Sequence, residues 1–242
     1  MAIATSTSTF SGFRPEAIDF LAELAANNER AWFQPRKAEY ERLLKAPLEE
    51  LCAALERRFR DRDIPLHADA TRSPFRIYRD TRFSKDKSPY KTHVAASFSW
   101  AGDGGEAGPG RSHAENVHAS GGYFHLQPGE IFVGGGVWHP EPSWLKAFRD
   151  RVATDYDSFR AVVEEPEFRA SFGSVSDDGE SLKRIPPGYA PDHPAADLLR
   201  KKNVTFGRRL ADEDAFSPRL PDVLADAFAT ATPLLRYLAS ID

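Results

Sequence analysis

The stretch His118-Ala119-Ser120-Gly121-Gly122-Tyr123-Phe124-His125-Leu126-Gln127-Pro128-Gly129-Glu130-Ile131-Phe132-Val133-Gly134-Gly135-Gly136-Val137 decides the fold class. Two strand-like runs, 118–127 and 130–137, flank Pro128-Gly129. Proline fixes φ and glycine accepts a positive φ, the pair that a type II turn needs, so the stretch predicts a hairpin. Gly134, Gly135 and Gly136 close its second strand. Consecutive glycines weaken a strand, so they predict a bulge or a close approach by another chain segment or a ligand.

Working backwards, Val94, Ala96, Phe98 and Trp100 alternate with His93, Ala95, Ser97 and Ser99. One face is apolar; the other is small and polar, fit to meet solvent or to line a site. Phe75, Ile77 and Arg79 alternate in the same way with Arg76, Tyr78 and Asp80. Downstream, Leu182–Ile185 reads as a weak strand, and Val204 with Phe206 as another.

On both sides of these strands the period is helical. Ala17, Ile18, Leu21, Leu24 and Ala25 follow Pro15, and Asn27-Asn28 stops them before a linking turn at Trp32 and Phe33. Tyr40, Leu44, Leu48, Leu51, Leu55 and Phe59 form the stripe of a helical stretch over 36–59, kinked or broken at Pro47. Trp144, Phe148, Val152, Tyr156, Phe159 and Val163 predict another, stopped by Pro166. Ala195–Arg200 is a short helix. Leu220 to Leu238 form the last one, bent at Pro233. Helices before and after hairpin-linked strands give an α+β fold, with an antiparallel or mixed sheet of about five strands packed against helices from both ends of the chain. The expected organisation is a flexible tail at 1–10 and a single domain over 11–242, with a Gly-rich loop at 101–117.

The chain has 242 residues, a net charge of -4 and a pI of about 6.0, which excludes a bulk nucleic-acid coat. Its one cysteine, Cys52, allows no internal disulfide and reads as a small buried apolar residue. The first residues lack a secretory pattern, and no run approaches the roughly 18 apolar residues of a membrane span. The expectation is a cytoplasmic protein with no membrane partner.

Against that acidic background, residues 75–93 hold Arg76, Arg79, Arg82, Lys85, Lys87 and Lys91 with only Asp80 and Asp86. Arginine forks and lysine ammoniums suit carboxylates and phosphates. These six are the candidate anion-binding groups, with Tyr78, Tyr90 and Trp138 as candidates to stack on a ring. Gly134–Gly136 would give close backbone approach, and His125 is the candidate for proton transfer. The leading expectation is a small anionic, phosphorylated ligand, either bound only or also turned over. A nucleic-acid or protein interaction module using the same basic and aromatic patch is the alternative. A third reading has the arginines satisfied internally by acidic neighbours. Lys183, Arg184, Lys201 and Lys202 read as exposed extensions of the basic surface. Histidine spacing, including His113 and His118, fits no zinc motif, so no metal is expected. No nucleophile elbow, phosphate loop or dinucleotide fingerprint occurs, and no cofactor is implied.

Several of these residues also carry a resemblance. Asn27-Asn28-Glu29-Arg30-Ala31-Trp32-Phe33, the run Tyr78 to Lys91, Gly121-Gly122-Tyr123-Phe124, Gly134-Gly135-Gly136-Val137-Trp138, Pro187-Gly188-Tyr189 and His193-Pro194 resemble domain of unknown function 2461. The likeness spans nearly the whole chain after residue 10, with 101–117 as an insertion. It implies no activity and directs attention to the basic loop and the glycine run.

Overall fold

A computed structural model describes residues 9–82, 84–102, 120–176 and 179–241. His113, His118 and all but two residues of the expected Gly-rich loop lie outside these. So do residues 1–8 of the expected tail. Phe10, placed in that tail by the sequence, is buried with its ring edge-on to Phe13.

Helix α1 (Pro15–Ala26) begins on its proline and buries Ala17, Phe20, Leu21 and Leu24. Asn27 ends it, giving both its backbone N–H and its side-chain amide to Glu23 O. Trp32 and Phe33 then lie in a single helical turn, α2 (Arg30–Phe33), rather than in an irregular link. The expected helical stretch over 36–59 is subdivided just ahead of Pro47, where a kink or break was expected. A 3₁₀ turn and α3 (Lys37–Tyr40) lead into a π-helical turn at Glu41–Lys45, and then α4 (Ala46–Asp61). Pro47 has no N–H to return to the preceding turn, and the wider π turn just before it absorbs the mismatch.

Five strands form one antiparallel sheet in the order β1-β2-β3-β4-β5. They are β1 (Leu66–His67), β2 (Val94–Trp100), β3 (Gly121–Gln127), β4 (Glu130–Val137) and β5 (Val204–Arg209). The β3–β4 hairpin is in the expected register, Gln127 facing Glu130, and Gly129 takes φ 77°. Two expected strands are absent. Residues 75–80 make no regular strand: Phe75 N–H reaches Ala95 O and Ser97 N–H reaches Ser73 O, but Pro74 between them has no donor. Beyond it, Ile77 to Arg79 pair only with Pro89 to Lys91, as a short arch. Leu182–Ile185 is irregular, its Leu182 N–H bonded to Arg200 O. The strand that replaces them, β1, is two residues long, too short to show a period.

Between β4 and β5 run α5 (Pro142–Thr154), α6 (Tyr156–Val163), α7 (Pro166–Phe172) and α8 (Ala196–Arg200). The sequence predicted one helix over Trp144–Val163. Asp155 divides it by capping α6, accepting from Ser158 N–H at 3.1 Å. Pro166 starts α7 instead of merely stopping its predecessor, with Glu165 as the cap. After β5 come α9 (Asp212–Ala215) and α10 (Leu220–Ala239), which carries Pro233 internally.

One face of the sheet is packed by α4, α7 and α10. Phe59, Phe98 and Phe228 meet edge to face with centroids 5.5–5.8 Å apart. Phe228 also fills the space over Gly122, where a Cβ would lie 2.6 Å from its ring. Fully burying such a ring contributes about 3 kcal/mol. Ser97, Ser99, Tyr123, His125, Phe132 and Thr205 alternate onto the opposite face. Among the described residues no helix is long and apolar enough to cross a membrane.

Candidate functional site

The opposite face of the sheet holds a cavity of about 540 Å³. Its floor is the backbone at Gly121 and Gly136 with the hydroxyl side chains of Ser97, Ser99 and Thr205. Phe75, Tyr123, Phe132 and Trp138 wall it. The glycines explain why a cavity exists there. Gly136 adopts φ 111°, and a Cβ on it would fall 2.2 Å from Val204 O. Gly134 and Gly207 form a bed for the Phe132 ring. Gly135 would meet Gly121 O at 2.4 Å. The close approach expected at Gly134–Gly136 is therefore made by neighbouring strands and by Phe132. Trp138 is exposed and stacks on His139, whose N–H is held by Asn203.

At one end of the cavity a polar cluster begins at Tyr123. Its hydroxyl lies 3.3 Å from His125 Nδ1. The other ring nitrogen, Nε2, is buried and 3.5 Å from Glu130 Oε2, too long and misdirected for a full hydrogen bond. Glu130 Oε2 instead accepts from the Gln127 amide at 2.8 Å. The His93 ring lies 5.8 Å from that of His125. Burial, then the neighbouring His125 and Lys91, press the His93 pKa down to about 4. Burial likewise lowers that of His125, outweighing the pull of Glu130. Burial and Glu130 push the Tyr123 phenol up to about 12. Near neutral pH His93, His125 and Tyr123 are neutral donors and acceptors, suited to hydrogen-bonding a ligand.

The basic segment does not converge on one point. Arg79 pairs with Asp86, whose other oxygen accepts from the Ser88 N–H and hydroxyl. Arg82 takes Asp80 through two nitrogens, at 3.0 and 2.7 Å. Lys87 donates to Thr81 O, and Lys85 is exposed. Lys91 differs. It is half-buried, with Nζ 4.9 Å from the centroid of the Phe75 ring that walls the cavity. Among the described residues no carboxylate lies within ion-pair distance of Lys91 or of its exposed neighbour Arg76. Burial, then the charge of Arg76, lower the Lys91 pKa.

Of the three stacking candidates, Trp138 reaches the cavity and Tyr78 is exposed beside the arch. Tyr90 is corrected. It is 1% exposed and stacks on Phe33 at 4.1 Å, so no ligand reaches its ring. Asn28 pins it, accepting from Tyr90 N–H and donating to Tyr90 O, each at 3.0 Å. An asparagine amide here imitates a strand neighbour and joins the Asn27–Phe33 motif to the basic segment. The sequence missed Phe75, Phe132 and Tyr123 as cavity walls. The small, polar face of β2 was the available signal. Among the described residues, no group of three or more His, Cys, Asp or Glu side chains could hold a metal ion.

A family model described as conserved hypothetical protein (DUF2461) matches residues 16–237, and the chain belongs to that family. No significant match was found among curated proteins or among solved structures.

Proposed function

We propose that the chain binds a small molecule with a flat, largely apolar body and one anionic group, seated in the cavity on the face of the sheet opposite α4, α7 and α10. Phe75, Phe132, Tyr123 and Trp138 would enclose the body, as rings do in most small-molecule sites. The hydroxyl floor and the Tyr123–His125 pair would fix its orientation. Lys91, with Arg76 behind it, would take the anionic group. The observation that carries this reading is the half-buried Lys91 ammonium, set against a wall of the cavity with no described carboxylate to pair with. A cation in that position gains from an incoming anion, whereas Arg79 and Arg82 already hold theirs. The same local pairing weakens the nucleic-acid alternative, which needs free cations along a strand path.

The test is a thermal-shift series of aromatic carboxylates and aryl phosphates beside their uncharged amides and alcohols. Charged members should raise the melting temperature more than neutral ones. Lys91→Met should remove that difference while leaving the ligand-free melting temperature near that of the parent. Equal shifts for charged and neutral members, or an unchanged preference in Lys91→Met, would reject the reading.

A further inference from the structure

A second cavity, of about 640 Å³, is lined by α6, α7, α8 and residues 173–175 and 181–182. Arg169, Arg200 and Lys201 all line it. The sequence read Lys201 as an exposed lysine; it is only 8% exposed. Its Nζ donates to Ser176 O at 2.6 Å, and no described carboxylate lies within ion-pair distance. An ammonium has three donors, so one carbonyl leaves it short of both hydrogen bonds and counter-charge. Arg200 is held through a terminal nitrogen by Asp197, but its Nε is buried with no hydrogen-bond partner. Arg169 is exposed at the rim, with no described acidic partner in ion-pair distance. The two acidic residues of the lining already have partners, one of them within the cavity itself. Asp197 serves Arg200, and Glu164 lies 3.9 Å from Arg160 Nε.

Three cations line one hollow: Lys201 is buried with no described carboxylate in ion-pair distance, Arg200 keeps an idle N–H beside its pairing with Asp197, and Arg169 is exposed, an arrangement that suits an oxyanion. We propose that this cavity binds a phosphate group, free or as a monoester, between Lys201 and Arg169, with Arg200 Nε as a further donor. Several donors converging from different directions suit a tetrahedral oxyanion better than a planar carboxylate, which a single arginine fork already satisfies. The inference stands apart from the cavity at Lys91 and uses none of its residues.

The experiment follows the heat-unfolding midpoint of the full chain against inorganic phosphate, with potassium chloride at matched ionic strength as reference. A second arm uses glycerol phosphate, to separate free phosphate from a monoester. At least one of the two should raise the midpoint beyond chloride, and the rise should be lost in Arg169→Gln and in Lys201→Met. Ligand-free Lys201→Met should melt at or above the parent, because a buried charge with no described counter-charge is gone. Lys91→Met should keep the phosphate response, whatever becomes of the other site. The proposal is overturned if neither probe exceeds chloride, or if Arg169→Gln responds as the parent does. It is also overturned if Lys201→Met melts lower yet keeps the full response, since the lysine is then only a tether for the Ser176 carbonyl. Should Lys201→Met fail to fold, Arg169→Gln decides alone, because its side chain is exposed.

Discussion

The ring of Phe132 occupies the space that a side chain at residue 207 would need: a Cβ on Gly207 would lie 2.1 Å from Phe132 Cζ. Gly207→Ala should therefore displace the ring and cost about 1–3 kcal/mol, as overpacking does. In a Phe132→Ala background the same change should cost much less, and a double-mutant cycle by urea unfolding measures the coupling. Gly136→Ala is the contrast. Its obstacle is the Val204 carbonyl at 2.2 Å, and its φ is 111°, so its cost should persist in both backgrounds. Additive losses at Gly207 and Phe132 would contradict the assignment.

Asn28 is the clasp between the helical N-terminal region and the basic segment. Asn28→Ala leaves the Tyr90 N–H and C=O without their partner, and should lower stability by roughly 1–3 kcal/mol. Amide exchange at Tyr90 should accelerate by more than the global loss alone explains. A variant with unchanged exchange there would show that the clasp contributes nothing.

His93 gives the fold a pH dependence of definite sign. Its folded pKa, near 4, lies below its ordinary value of 6.5, so between those two the unfolded chain binds a proton that the folded chain refuses. Stability should fall as the pH drops from about 6.5 towards 4. The lowered His125 acts in the same direction. His93→Gln should flatten the melting temperature profile across that window and leave it unchanged above. A profile that kept its full slope in the variant would assign the dependence elsewhere.

Cys52 is fully buried in α4, and burial pushes its thiol well above the usual range. It should resist thiol reagents in the native protein and react at the rate of global unfolding. Reaction within the mixing time under native conditions would show that α4 opens locally.

The parts of the fold legible in the sequence were those with a sustained period. The β3–β4 hairpin, β2 and the stripes of α1, α4 and α10 were all visible because burial on one side imposes a repeat of 2 or 3.6 on the residues. Where alternation misled, at 75–80, Ile77 is buried and Tyr78 exposed as a strand would have them, but Pro74 breaks the ladder. Asp155 and Glu165 were hidden because a capping side chain interrupts an apolar stripe without erasing it. The cavity was half visible. Ser97 and Ser99 marked the polar face, but that Phe75 and Phe132 bracket it depends on register between distant segments. The charge run at 76–91 was conspicuous in sequence, but two of its arginine forks are engaged close by: Asp86 and Asp80 take Arg79 and Arg82 within the same loop.

Helix α10 leaves the ribosome after every strand it covers. Until Phe228 arrives, Phe59 and Phe98 have no third ring to close their cluster, and Gly122 underlies an open gap. Until then that face of the sheet is covered only in part, by α4 and α7, and the rest is the kind of apolar surface that holding chaperones recognise. Closing the packed side needs residues 220–239, so a premature stop in the last helix should leave apolar surface open rather than yield a shortened native protein.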